Sequence, residues 1–215
     1  MWCWGEDNSL RRECQFLEST NAWHGVSLLS QSAFLNDSGR YAIEMMMEKT
    51  LKVIGELKKR GIILDYAIGG GIAALYYIEP LLTYDLDIFF VPVEDKIDVL
   101  APLYRWLSDK GYGYEREHIV IEGVPVQFIP VYNDLVREAV GTAREVKYGG
   151  TRTKVLGREF LVAVMLQTYR PKDKERLARI YEESKPDGRK LLGILKRHGL
   201  IDRYREFLEK NLGKT

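Results

Sequence analysis

The sequence is poor in cysteine: among its 215 residues only Cys3 and Cys14 occur, both near the N-terminus. They provide neither a CxxC metal-binding spacing nor a disulfide framework, so a reducing, cytoplasmic environment is expected. No apolar run approaches the roughly 20 residues that a membrane helix requires. The N-terminus lacks a basic segment followed by an apolar one, the pattern of a secretory signal. We therefore expect neither secretion nor a membrane partner.

Several catalytic patterns are also missing. The three histidines, His24, His118 and His198, show no metal-ligand spacing. His118 falls on a predicted strand and is interpreted as a surface or hydrogen-bonded residue rather than a base. No Gly-x-Ser-x-Gly or Cys–His signature indicates a covalent nucleophile. The one glycine-rich turn lacks the spacing and the Lys-Ser/Thr ending of a P-loop.

Net charge is nearly absent, at +1, but its distribution is uneven. Residues 143–215 contain 19 Lys and Arg against 10 Asp and Glu, whereas residues 1–142 contain 13 against 21. An acidic half can hold cations and a basic half can attract phosphates, although solvated helix faces explain the same asymmetry. Composition therefore leaves the partner open.

The periodicity of apolar residues predicts three regions. Residues 1–44 are expected to be a poorly ordered or loosely packed extension, with a helix around 26–34 as the alternative. Residues 45–157 are expected to form an α/β (α+β) domain with a small mixed sheet flanked by helices, and residues 158–215 a helical C-terminal part. The predicted helices are 41–59, 72–78, 96–110, 133–140, 158–169, 172–183, 187–198 and 201–211. The predicted strands are 62–68, 84–91, 118–121, 124–129, 144–148 and 152–156.

One predicted strand carries Asp85 and Asp87. Side chains alternate along a strand, so both carboxylates are expected on one face. Two such charges on a half-buried strand are costly unless a cation compensates them, and Mg²⁺ or Mn²⁺ suits hard oxygen ligands. The alternative is a frayed and solvated strand end, against which the apolar run directly after Asp87 argues.

A glycine turn, Gly69-Gly70-Gly71, precedes this strand by about fifteen residues. It follows one predicted strand and opens a short predicted helix, so free backbone N–H groups would point at one place. Phosphates bind such places, and glycine lets the backbone approach closely. A tight turn that needs positive φ is the alternative reading. Together with the two aspartates, the turn predicts a phosphate cradle beside a divalent-cation site.

These residues resemble the nucleotidyltransferase superfamily with the DNA polymerase β-type fold. The match consists of Gly70-Gly71-Ile72-Ala73, then Glu79-Pro80, then Thr83, Asp85 and Asp87, with Gly69 as an alternative to Gly71. The nearest branch includes the abortive-infection toxin nucleotidyltransferases and the minimal nucleotidyltransferases of toxin–antitoxin pairs. A later segment, an apolar helix ending in Arg170-Pro171-Lys172-Asp173, is similar to a cluster that lies near the nucleotide in that branch.

The resemblance implies roles for these residues. Asp85 and Asp87 would hold Mg²⁺ or Mn²⁺ against the oxygens of a nucleoside triphosphate, and amides near Gly70 and Gly71 would hold its phosphates. Thr83 would orient the loop. Arg170 and Lys172 would neutralise the triphosphate or the acceptor, and Asp173 would position them. A charged turn that joins two helices at Pro171 is the other interpretation of this last cluster.

The sequence departs from the superfamily at three positions. The third carboxylate, expected on a later strand, is replaced by Gln127, which can offer a carbonyl oxygen but cannot act as a base. Glu117 or Glu122 are alternatives for that carboxylate. Leu81 and Met165 stand where basic residues are common.

Two hypotheses follow. The first is a magnesium-dependent nucleotidyltransferase that moves a nucleoside monophosphate to RNA, protein or a small molecule. The second is a catalytically impaired nucleotide-binding or antitoxin-like module. A toxin or antitoxin partner is compatible with either.

Overall fold

The computed structural model describes residues 37–78, 83, 85–94, 98–115 and 117–213. The predicted N-terminal extension lies outside this part up to residue 36. The first described helix begins at Asp37, within the range predicted for the extension. Among the described helices, none is long and apolar enough to cross a membrane.

The described chain alternates strands and helices before ending in helices. The helices are α1 (Asp37–Lys59), α2 (Gly70–Ala74), α3 (Ala101–Asp109), α4 (Asp134–Gly141), α5 (Arg158–Thr168), α6 (Pro171–Arg179), α7 (Gly188–Arg197) and α8 (Ile201–Leu212). The strands are β1 (Ile63–Ile68), β2 (Leu86–Pro92), β3 (Tyr114–Glu115), β4 (His118–Ile121), β5 (Val124–Pro130), β6 (Arg144–Tyr148) and β7 (Thr151–Val155). A π-helical turn, Ile180–Ser184, follows α6.

The strands form one mixed sheet in the order β3-β4-β5-β2-β1-β7-β6. The pairs β2–β5 and β1–β7 are parallel, and the other neighbours are antiparallel. Both parallel pairs follow from the crossovers through helices, because a parallel neighbour cannot be reached through a two-residue turn. The predicted mixed sheet flanked by helices, with a helical C-terminal part, is confirmed.

One hydrophobic core includes residues on both sides of the predicted domain boundary at 157. Strand β2 contributes Leu86, Ile88 and Phe90, and helix α5 is buried from Phe160 through Leu166. Helix α5 is apolar on all sides because it lies between the sheet-packed helices and the C-terminal ones. The C-terminal helices therefore pack on the same core as the sheet.

Most predicted elements are confirmed, and their ends differ by a few residues. The predicted β4–β5 hairpin is present, with Glu122 and Gly123 in its turn, both at positive φ. Strand β3 was not predicted because its two residues are too few to show alternation. Helix α3 begins at Ala101 rather than near residue 96, since Pro102 occupies its first turn and favours a start there. Residues 95–97 lie outside the described part.

Candidate active site

Three neighbouring strands bring polar side chains into one row. Asp87 on β2 pairs with Gln127 on β5 in parallel register. The antiparallel β4–β5 pair matches Ile119 with Val126, so one step further along the strands His118 stands opposite Gln127. Side chains in one row of a sheet share a face. The strand position predicted for a third carboxylate is therefore beside Asp87, and it holds an amide.

Asp85 lies just before β2 at the edge of this row. The Thr83 hydroxyl donates a hydrogen bond of 3.3 Å to Asp85 Oδ1. His118 Nε2 lies 3.7 Å from Asp85 Oδ2, and both side chains are about one quarter exposed (26% and 24%). His118 thus borders the site, which the sequence pattern did not indicate, because its place depends on the β4–β5 register.

The two glutamates that were alternatives for the third carboxylate, Glu117 and Glu122, lie outside the row of Asp87 and Gln127. Glu122 is exposed in the hairpin turn, where Tyr112 Oη donates a hydrogen bond of 2.8 Å to it. Glu117 is exposed and directly precedes β4, outside the row that Gln127 shares with Asp87. Gln127, half-buried, remains the residue at that position.

The three glycines of the turn have different neighbours. Gly69 packs against the side chains of Phe89 and Leu156, on the core side of the turn. Gly70 has a φ of +54°, and a β-carbon on it would overlap the Asp87 carboxylate. A β-carbon on Gly71 would come within 2.5 Å of Thr83 Oγ1. Gly70 and Gly71 are therefore the residues that bring the backbone against the polar site, whereas Gly69 serves packing.

Backbone hydrogen bonds fix this turn to β2. The Gly69 N–H donates to the Asp87 carbonyl at 2.9 Å, and the Gly69 carbonyl accepts from the Ala73 N–H at 3.0 Å. The second bond starts α2, whose first-turn amides have no acceptor inside the helix. The turn thereby presents backbone N–H groups next to the Asp87 side chain.

Burial and repulsion from Asp85 raise the pKa of the Asp87 carboxyl group. Asp87 is only 9% exposed. Burial, and next the charge of Asp85, raise its pKa to about 6, although Lys172, Arg176 and Arg170 act in the opposite direction. The positive charges of Lys172, Arg176 and Arg170 therefore act on Asp87 without offsetting the effect of its burial. An ionised Asp87 destabilises the folded protein.

Because ionised Asp87 destabilises the fold, the effect of Asp87→Asn on the free energy of unfolding should depend on pH. The folded-state pKa is above the ordinary value of 3.8, so the penalty is absent below pH 4, grows between pH 4 and 6, and is complete above pH 6. The variant should therefore be more stable than the wild type by about 2–3 kcal/mol at pH 7.5 and nearly equal to it at pH 4. Urea unfolding in EDTA at both pH values measures this.

A matched control is Asp109→Asn, which changes an exposed aspartate at the end of α3. It should leave the free energy of unfolding within about 0.5 kcal/mol of the wild type at both pH values. An Asp87→Asn variant that is less stable than the wild type at pH 7.5 would contradict the conclusion that the ionised Asp87 carboxylate destabilises the fold.

In the cluster of Arg170, Lys172 and Asp173, the aspartate caps helix α6 and the two cationic residues are exposed. Asp173 is 1% exposed and accepts hydrogen bonds from the Thr168 hydroxyl at 2.7 Å and from Arg170 Nε at 2.9 Å. It also accepts from the Arg170 backbone N–H, which closes a capping box at the start of α6. Asp173 therefore stabilises the connection between α5 and α6, in agreement with the interpretation of this cluster as a charged turn between two helices. It also orients Arg170. Lys172 is exposed.

Arg176 was not predicted, and it lies closer to the glycine turn than the predicted cations. It is 8% exposed, and its Nη2 would come within 2.7 Å of a β-carbon on Gly71. The available signal was its position four residues after Lys172, which places both on one helix face. That signal was weak, because the same spacing occurs on any solvated helix.

The donor set fits a divalent cation that arrives with its own ligands. Asp85 and Asp87 offer carboxylate oxygens and Gln127 offers a carbonyl oxygen. Among the described residues, no group of three or more His, Cys, Asp or Glu side chains could hold a metal ion. Mg²⁺ is commonly held by one or two carboxylates together with substrate phosphates and water, so two carboxylates beside a phosphate cradle suit it.

The chain was compared with known proteins. No protein-family model matches it. No curated protein matches it either. Among solved structures, it is similar to the crystal structure of an antigenic nucleotidyltransferase-like protein from Paracoccidioides brasiliensis, with a TM-score of 0.47 and 16% sequence identity. The likeness covers 77% of this chain and 91% of that chain.

Proposed function

We propose that this protein is a magnesium-dependent nucleotidyltransferase, which moves a nucleoside monophosphate from a nucleoside triphosphate to a hydroxyl group. The observation that carries this proposal is the contact between the glycine turn and the Asp87 carboxylate. This contact supports the proposal, because phosphoryl-group chemistry requires a cation site and a phosphate cradle next to each other. RNA, a protein or a small molecule is the acceptor, in the cytoplasm.

A divalent cation held at this site would supply positive charge that stabilises the reacting phosphate groups. Asp85 and Asp87 would hold it from the β2 side, with the Gln127 carbonyl beside them. The amides of Gly70 and Gly71 would donate hydrogen bonds to phosphate oxygens. Thr83 keeps Asp85 in place through its hydrogen bond.

The transfer step itself is an in-line displacement. The acceptor hydroxyl oxygen forms a bond to the α-phosphorus while the bond from that phosphorus to the bridging oxygen breaks, and pyrophosphate leaves. The hydroxyl proton needs an acceptor. Asp87, a carboxylate of the site, or solvent beside it would take this proton. Gln127 cannot take a proton.

Gln127 supports a second candidate function, a nucleotide-binding module without turnover. An amide next to Asp87 keeps a ligand for the cation but removes one negative charge. Such a module would act as a sensor or as the antitoxin-like member of a toxin–antitoxin pair. The first candidate is preferred because Asp85 and Asp87 are both retained beside the glycine turn.

An assay with labelled nucleotides separates the two candidates. Each of the four α-labelled nucleoside triphosphates is incubated with the protein, Mg²⁺ or Mn²⁺, and a cell extract as the source of acceptors. Label that moves to RNA, protein or a small molecule supports the enzyme and identifies the acceptor class. Metal-dependent nucleotide binding without transfer supports the binding module. Absence of both binding and transfer would contradict both candidates.

A further inference from the structure

Arg176 is a buried charge without a protein partner. Its exposed fraction is 8%, on helix α6. Within the part of the chain that the structure describes, its guanidinium forms no hydrogen bond and no ion pair within 4.0 Å. Buried arginines normally satisfy their five N–H donors with carboxylates or carbonyls. Its nitrogens are not fully enclosed, so water reaches them in the unliganded protein, and a bound anion can take the place of that water.

The guanidinium points at the glycine turn. Arg176 Nη2 and Thr83 Oγ1 would lie 2.7 Å and 2.5 Å from a β-carbon built on Gly71. Both groups therefore occupy the space in front of the Gly71 α-carbon, which only a residue without a side chain leaves open. Arg176 accordingly reaches the backbone where the phosphate cradle is proposed.

The Arg176 guanidinium and the Asp87 carboxylate lie at neighbouring glycines of the turn. The α-carbon of Gly70 faces the Asp87 carboxylate, and the α-carbon of Gly71, about 3.8 Å further along the chain, faces Arg176. Each of the two side chains is at least nine-tenths buried, yet they form no ion pair with each other among the described contacts. A ligand that presents a cation to Asp87 and an anion to Arg176 would match both charges.

We propose that Arg176 binds the phosphate chain of the nucleoside triphosphate, as a residue that recognises polyphosphate rather than the nucleoside. This inference rests on the proposed function and extends it to the substrate. A guanidinium donates two parallel hydrogen bonds to phosphate oxygens, and it keeps its charge at every accessible pH. Arg176 would complement the cation, because it would neutralise phosphate oxygens at Gly71 whereas Asp87 lies at Gly70.

The test compares Arg176→Met and Arg176→Lys with the wild type in the full chain. Binding is measured by calorimetry with Mg²⁺ at one salt concentration, using a nucleoside triphosphate, its monophosphate and inorganic tripolyphosphate. Arg176→Met should weaken binding of both triphosphates by about 10- to 100-fold, the loss expected for hydrogen bonds between charged groups. Binding of the monophosphate should change by less than about threefold. Arg176→Lys should recover part of the loss, because lysine keeps the charge but not the paired donors.

A control on the same helix is Arg179→Met, which removes an ion pair with Glu183, where Arg179 Nη2 lies 2.9 Å from Glu183 Oε1. It should leave triphosphate binding unchanged. The melting temperature of Arg176→Met should equal or exceed that of the wild type, because the variant removes a largely buried charge that has no partner among the described residues. A structural arginine would give the opposite sign.

The outcomes separate this inference from the proposed function. If the wild type binds no nucleoside triphosphate in the presence of Mg²⁺, the proposed function fails, and this inference fails with it. If the wild type binds and Arg176→Met binds within about threefold of it, only the role of Arg176 is wrong. A variant that melts lower and loses monophosphate and triphosphate binding equally would show a structural role, which overturns the inference.

Discussion

Replacing both carboxylates of the site, in the double variant Asp85→Asn/Asp87→Asn, should reduce nucleotide transfer by at least about 10³-fold. Asparagine keeps the shape of each side chain but removes the two negative charges that would hold the cation. The variant also removes the repulsion that raises the Asp87 pKa, so it should be at least as stable as the wild type. Loss of transfer together with higher stability would exclude unfolding as the cause.

The measurement is the initial rate of label transfer from the preferred nucleoside triphosphate, at saturating Mg²⁺ and equal protein concentration. Asp109→Asn again serves as the control, since it changes one exposed aspartate outside the site. Its rate should match that of the wild type. Retention of more than about one tenth of the wild-type rate by the double variant would show that these aspartates do not carry the reaction.

Replacing Gly70 with alanine should lower the free energy of unfolding by about 2–4 kcal/mol. Two causes add. The φ of +54° is unfavourable for any residue with a β-carbon, by about 1 kcal/mol. The new methyl group would also overlap the Asp87 carboxylate, which is buried and has little room to move. Chemical denaturation measures the loss, and transfer activity should fall because the carboxylate is displaced.

Gly61→Ala isolates the backbone part of this effect. Gly61 follows α1 with a φ of +69°, and nothing lies within 4 Å of a β-carbon built there. It should cost about 1 kcal/mol and leave activity unchanged. In the Asp87→Ala background, the cost of Gly70→Ala should fall towards that of Gly61→Ala, because the carboxylate is gone. An equal cost in both backgrounds would contradict the contact between Gly70 and Asp87.

The central features of the site were visible in the sequence because they are local. Alternation along one strand predicts that Asp85 and Asp87 share a face, and three consecutive glycines before a short helix predict a close backbone approach. The place of Gln127 at the position of a third carboxylate was implied by the resemblance to the nucleotidyltransferase superfamily, whereas apolar alternation predicted only strand β5. The sequence left open which glycines face the site, and only tertiary contacts distinguish Gly69 from the other two.

The residues that the sequence did not reveal depend on packing between distant segments. His118 approaches Asp85 through the register of β4 against β5, and neither strand's composition encodes that register by itself. Arg176 reaches Gly71 from helix α6, a segment that is distant in the sequence. Asp173 appeared as one charge in a cluster, yet its burial and hydrogen bonds show that it caps α6.

The site also illustrates how function opposes stability. Asp87 is buried with a raised pKa, Arg176 is buried without a partner in the described chain, and Gly70 adopts a left-handed backbone conformation. The two buried charges cost free energy in the unliganded protein, and both would be relieved by the proposed ligand, a divalent cation bound to a polyphosphate, whereas glycine adopts the left-handed conformation without such a cost. The ligand should therefore stabilise the folded protein, and cation and triphosphate together should do so more than either alone.

The most direct test of the site is the binding of Mn²⁺, measured by electron paramagnetic resonance with and without a nucleoside triphosphate. We expect one equivalent of Mn²⁺ to bind the wild type in the presence of the nucleotide, and little or none to bind Asp85→Asn/Asp87→Asn. Asp109→Asn should behave like the wild type. Equal binding of Mn²⁺ and nucleotide by the double variant and the wild type would contradict the assignment of the site to Asp85, Asp87 and the glycine turn.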